Sequence, residues 1–84
     1  MEIGEWYREK AFNPQNGKEE WKYYYIRDFV PETLTAEMDI YRVYYTGKVS
    51  APRKGSSPSD LIETLTKVSG DYACSILKIK PPVI

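Results

Sequence analysis

The sequence predicts an α+β domain: a four-stranded, mainly antiparallel sheet in the order β-β-β-α-β, with one helix packed on one face. Three observations predict it. Residues 5–46 hold three runs rich in aromatic and β-branched side chains, separated by turn-forming clusters. Residues 57–70 carry the start signal, the apolar spacing and the stop signal of one helix. A further apolar run, 71–80, follows that helix and reads as the last strand.

The first strand spans residues 5–12, Glu-Trp-Tyr-Arg-Glu-Lys-Ala-Phe. Asn13-Pro14-Gln15-Asn16-Gly17-Lys18 then reads as a hairpin loop, because Asn and Gly both tolerate positive φ. Residues 19–29 give the strongest strand. Tyr23, Tyr24, Tyr25 and Ile26 suit a pleated surface better than a helix. Pro31 has no N–H for a ladder and ends that strand. The third strand covers 37–46 through Ile40, Tyr41, Val43, Tyr44 and Tyr45.

Residues 47–58 read as a long loop rich in Gly, Ser, Pro and basic side chains. Ser57 fits a helix N-cap, Pro58 the first helical position, and Asp60 completes a capping-box-like pattern. Leu61, Leu65 and Val68 recur at helical spacing beside Ile62, and Gly70 supplies a stop. Tyr72, Cys74, Ile76, Leu77 and Ile79 make the fourth strand. Pro81-Pro82 forces an extended tail over 81–84, ending in Val83 and Ile84.

The chain of 84 residues is read as one domain, 1–84. A domain of this size buries only roughly 60% of its unfolded surface, so it needs help from large side chains or a partner. Disulfides give none, because Cys74 is the one cysteine. Neither metal nor cofactor is expected, since the chain has no histidine and one thiol cannot close a tetrahedral site. Large side chains are plentiful: eight Tyr, two Trp and two Phe make 14% of the chain.

Alternation along the strands carries the functional expectation. On the second strand one face shows Trp21, Tyr23, Tyr25 and Phe29, and the other Tyr24 and Ile26. On the third, one face shows Met38, Ile40 and Tyr44, and the other Tyr41, Val43 and Tyr45. Whichever face a single helix covers, the other is expected to display aromatics, and an exposed aromatic face signals a partner. The plainer reading is tyrosines standing with their hydroxyls in water, or covered by the long loop.

Two partner classes fit. A protein partner, another chain or a second copy in a homodimer, would use Trp21, Tyr23, Tyr25, Tyr41, Arg42 and Tyr44, residue types enriched in interface cores. Tyr41 and Tyr44 lie on opposite faces, so one flat interface takes only one of them. The alternative is single-stranded nucleic acid, with bases stacked on the sheet aromatics and phosphates met by Arg8, Lys10, Arg27, Lys48, Arg53 and Lys54. Ordinary cross-strand pairing and a solvated loop also account for those cations. Twelve basic against twelve acidic residues give zero net charge, which weighs against a phosphate-binding surface.

A non-catalytic chain is expected. The commonest general base is absent, no phosphate-binding glycine loop occurs, and Cys74 sits among apolar residues where a thiol is inert. Glu19-Glu20 reads as a solvated pair beside the hairpin. The acidic start, Met1-Glu2-Ile3-Gly4-Glu5, lacks the apolar segment of a secretory leader, and no apolar run is long enough to span a membrane. A cytoplasmic chain follows as the expectation. Small motif-free β-rich chains of this kind occur as phage- or mobile-element-encoded inhibitors and as accessory subunits. That class-level likeness rests on no matched residue.

Overall fold

The computed structural model describes residues 1–82. The tail residues Val83 and Ile84 lie outside the described residues. The elements run β1 (Trp6–Asn13), β2 (Lys18–Val30), β3 (Thr35–Val43), β4 (Arg53–Pro58), α1 (Ser59–Glu63), β5 (Thr66–Val68) and α2 (Gly70–Leu77). The five strands form one sheet in the order β4-β3-β2-β1-β5, every pairing antiparallel. The α+β class and the antiparallel meander of the first three strands stand as read from the sequence. Among the described residues the strand count is five and the helix count two.

The hairpin between β1 and β2 forms where the Asn-Gly signal places it. Gly17 has φ +69° and donates its N–H to the Asn13 carbonyl at 2.9 Å. The β2–β3 turn rests on Leu34 at φ +53°, left-handed backbone that a branched side chain enters at some cost. In β2 a bulge at Arg27 shifts the register between Ile26 and Asp28.

Three expectations fail, each for a physical reason. Residues 71–80 were expected as a strand and contain α2 instead. Ser69 caps it by accepting the Tyr72 N–H at 3.1 Å, and Ala73, Cys74 and Leu77 fall on one helical face. Periodicity alone does not separate a short buried strand from a short buried helix. Gly70 therefore opens a helix rather than closing one. The expected helix over 57–70 shrinks to Ser59–Glu63, with Ser57 still in β4 and no side-chain cap at Pro58. The β-branched Thr66 and Val68 leave it to form β5 against the free edge of β1. The long loop 47–58 is half strand. Residues 53–58 pair with β3 as β4, joined through a turn at Gly47, φ +89°.

This rearrangement explains the failed alternation in β2 and β3. Both faces of the sheet are covered, each by one short helix. Under α2 lie Trp6, Tyr23 and Tyr25 with Ala73, Cys74 and Leu77. Under α1 lie Tyr7, Tyr24, Ile26, Ala36 and Met38 with Ile62. The three consecutive tyrosines of β2 thus serve two cores. No helix is long and apolar enough to cross a membrane among the described residues.

Candidate binding surface

An α2 of eight residues cannot cover a 13-residue strand. On its side of the sheet, the rows toward the β1–β2 hairpin stay open. Register sets Arg8 opposite Tyr23, Lys10 opposite Trp21, and Phe12 opposite Glu19. Side chains two apart share a face, so Arg8, Lys10, Phe12, Trp21 and Glu19 form one patch beside α2.

The patch is built around Arg8. Its guanidinium carbon lies 4.2 Å from the Trp21 ring centroid and 5.3 Å from that of Tyr72, the latter contributed by α2. The Lys10 ammonium stands 5.5 Å from the same Trp21 ring, so two cations flank one indole. Arg8 Nη1 donates to the Tyr72 hydroxyl at 3.0 Å and to the Tyr23 hydroxyl at 3.4 Å. The Tyr23 oxygen raises the guanidinium pKa further above its already high value, and burial raises that of the Tyr23 phenol. Arg8 Nε is buried and has no hydrogen-bond partner among the described residues. At the rim, Phe12 is 64% exposed and Tyr72 42% exposed, which leaves large apolar area in water beside the cations.

The six expected interface residues do not gather on this surface. Tyr23 and Tyr25 are buried under α2 at 1% and 8% exposure, so the open aromatic face expected for them is absent. Tyr41 is half-buried, its ring 5.7 Å from Trp6. Arg42 lies on the α1 side, where its Nε donates to Glu20 at 2.9 Å. Tyr44 is half-buried just beyond β3, with the Arg42 guanidinium 6.0 Å from its ring. Trp21 alone of the six joins the patch.

The cations expected to meet phosphate are scattered too. Arg8 and Lys10 belong to the patch. Arg27 pairs with Asp39 at 3.4 Å near the bulge. Lys48 is exposed in the β3–β4 turn, and Arg53 and Lys54 point to opposite faces of β4.

Glu20 corrects the reading of a solvated pair. Its side chain is withdrawn from water and accepts from Asn13, Asn16, the Arg42 guanidinium and the Tyr45 N–H. Burial pushes its pKa up, but those donors outweigh it and hold the carboxyl below the usual range. It ties the hairpin to the end of β3, a structural task. Cys74 is buried in α2 rather than in a strand, and burial raises its thiol pKa.

Sequence reasoning missed Phe12 and Tyr72. Phe12 was discoverable from its i+2 spacing to Lys10. Tyr72 was not, because reading 71–80 as a strand removed it from the neighbourhood of Arg8. In comparisons with known proteins, no family model, no curated protein and no solved structure matches this chain.

Proposed function

We propose that this chain is a non-catalytic protein-interaction module that docks through the Arg8–Trp21 patch. The observation that carries the reading is the indole of Trp21 with the Arg8 guanidinium 4.2 Å and the Lys10 ammonium 5.5 Å from its centroid, and exposed Phe12 and Tyr72 alongside. Trp, Tyr and Arg are the residues that dominate binding energy at protein interfaces. Hydrogen bonds to two tyrosines hold Arg8 in place before any partner arrives, which lowers the ordering cost of binding. Lys10 already meets Glu19 at 3.6 Å, so the Arg8 guanidinium beside the apolar rims is the cation that favours a partner carboxylate set among apolar side chains. An inhibitor or an accessory subunit is the role such a small module would fill. A free buried thiol suits a reducing cytoplasm.

Single-stranded nucleic acid would use the same stacked indole, but Arg27, Lys48, Arg53 and Lys54 lie away from it and offer no continuous phosphate track. Light scattering at low micromolar concentration tests both readings. The protein is measured alone and with a mixed single-stranded oligonucleotide at physiological salt. No mass gain with the oligonucleotide is expected. A gain that fades as salt rises, and that Trp21→Ala removes, would replace the protein reading with the nucleic-acid one. A photo-crosslinking residue at position 12, introduced in the source cell, is expected to capture a protein. The adduct should disappear when Trp21→Ala is added.

A further inference from the structure

We infer that the outer edge of β4 accepts a short extended peptide as a sixth, antiparallel strand, with the residue order basic, large apolar, acidic. The β4 edge lies at the opposite margin of the sheet from β5, and among the described residues its outer side has no neighbouring strand.

The ladder fixes which groups are free. Ser59 donates its N–H to the Leu34 carbonyl at 2.9 Å, and the two continue the register of Thr35 with Pro58. Residues of an antiparallel pair alternate between hydrogen-bonded and non-hydrogen-bonded partners. Arg53, Gly55 and Ser57 therefore direct their N–H and C=O toward β3. Lys54 and Ser56 direct theirs outward, as does the Pro58 carbonyl. Pro58 has no N–H, and the position it occupies is one where none is needed by β3. The free edge is thus a short window with two donors, Lys54 and Ser56, closed at one end by proline. It fits a few residues of a peptide and not an open-ended sheet.

The two faces of this window differ, which sets the side chains of the guest. Lys54 and Ser56 share the α2 side with Asp39 and Glu37, their partners on β3. Arg27, Asp28, Glu37, Lys54 and Ser56 line a hollow of about 660 Å³ there. A guest residue opposite Ser56 stands beyond a small side chain from Glu37 and Asp28, so a basic residue is favoured. One opposite Lys54 is favoured as an acid. Gly55 lies on the α1 side, and the Ile40 side chain fills the place of its missing Cβ: a Cβ there would stand 2.6 Å from Ile40 Cδ1. Ile40 is half-buried and Leu61 is 56% exposed; with Leu65 they line a cleft of about 430 Å³. A guest residue opposite Gly55 would lay a large apolar side chain into it. Main-chain bonds supply affinity and alternate pockets supply specificity, as in strand addition generally.

A second copy of the chain fits less well. Antiparallel self-pairing about Gly55 sets Lys54 opposite Ser56, as the hollow favours. It also sets Gly55 opposite Gly55 and leaves Ile40 and Leu61 uncovered. A foreign segment with an apolar residue at that point meets all three positions.

The test is fluorescence anisotropy with a labelled synthetic peptide, Thr-Val-Thr-Lys-Ile-Glu-Thr-Val-Thr, titrated with the protein to about 1 mM. Saturable binding is expected. Ser56→Pro removes an outward N–H that β3 does not use, and should weaken binding roughly tenfold or more while the Tm stays unchanged. Leu61→Gln, at an exposed position, should weaken it without unfolding the protein. Exchanging Lys and Glu in the peptide should do the same. The inference is overturned by an absence of binding, or by equal affinity for wild type and Ser56→Pro. It is also overturned if wild type is a dimer that Ser56→Pro makes monomeric, which would give the edge to a second copy. Binding lost in Trp21→Ala but kept in Ser56→Pro would move the peptide to the Arg8–Trp21 patch.

Discussion

The Arg42 guanidinium meets the Glu20 carboxylate at 2.9 Å, and Glu20 has no side-chain contact with water. The pair joins β3 to the hairpin end of β2 on the α1 side. The same carboxylate takes Asn13, Asn16 and the Tyr45 N–H, so four separate donors converge on one side chain.

Acid should therefore destabilise the domain through named groups. The folded pKa of Glu20 lies below its usual range, and Lys67 beside Glu5 holds that carboxyl down to about 2. A carboxyl depressed on folding contributes stability above its unfolded pKa, about 4.3, and loses it as pH falls through the folded value. Chemical-denaturation midpoints should drop between about pH 4 and pH 2. Glu20→Gln should be less stable at neutral pH and should show a shallower loss with acid. An equal acid slope in wild type and variant would remove Glu20 as a cause.

Alkali should act through the tyrosines. Burial, aided by Glu5, pushes the Tyr7 phenol up to about 12. Burial likewise raises Tyr23, Tyr24 and Tyr41, and Tyr24 also donates to Glu9. Their stabilising effect is complete below the unfolded value near 10 and is lost as pH rises through the folded values. Phenolate absorbance should therefore lag, and then rise together with loss of circular dichroism as pH climbs from about 10 to about 12. Tyr7→Phe should shift that transition to higher pH. Full phenolate absorbance with circular dichroism intact would contradict this.

The docking of α2 should carry much of the stability. Leu77 is 3% exposed within the cluster around Trp6. Leu77→Ala should cost about 2–5 kcal/mol, comparable with the whole stability of a domain this small, about 3–5 kcal/mol. Ser69→Ala, removing the N-cap, should cost about 1 kcal/mol. Ile76→Ala, at the exposed edge of the helix, should leave the Tm within a degree or two. Thermal melts of the three variants check the ranking, and a Leu77→Ala melt like that of wild type would mean that α2 is not docked.

The patch makes its own prediction. Phe12→Ala, at a position 64% exposed, should leave a folded domain and weaken partner binding by roughly fivefold, a loss of about 1 kcal/mol. Tyr41→Phe, whose ring lies against Trp6, should leave binding unchanged. Isothermal titration with the crosslinked partner, once identified, compares them.

The meander was legible because its signals are local: the Asn-Gly turn, the tyrosine run and Pro31 need no tertiary context. The region after residue 46 was not. Its Gly55, Ser56 and Ser57 lack strand propensity, and they pair only because β3 offers an edge. Thr66 to Val68 adds a strand because β1 offers another. The segment from Gly70 to Leu77 is a helix of eight residues whose Ala73, Cys74 and Leu77 cover Trp6 and Tyr25. For the candidate surface, the aromatic and basic residues were in view, but the faces they occupy were not. Trp21 and Arg8 were in view, yet the residue that brackets Arg8, Tyr72, is 64 positions away.

Among the described residues, β1 is closed by the two elements farthest along the chain from it, β5 along its edge and α2 over its face. Both follow β1 in the sequence only after the whole meander and β4. A chain lacking both would carry Trp6 and Tyr25 bare and β1 with an unpaired edge. Truncation before Thr66 should therefore give not a smaller domain but a sticky hairpin array, prone to precipitation and to chaperone capture.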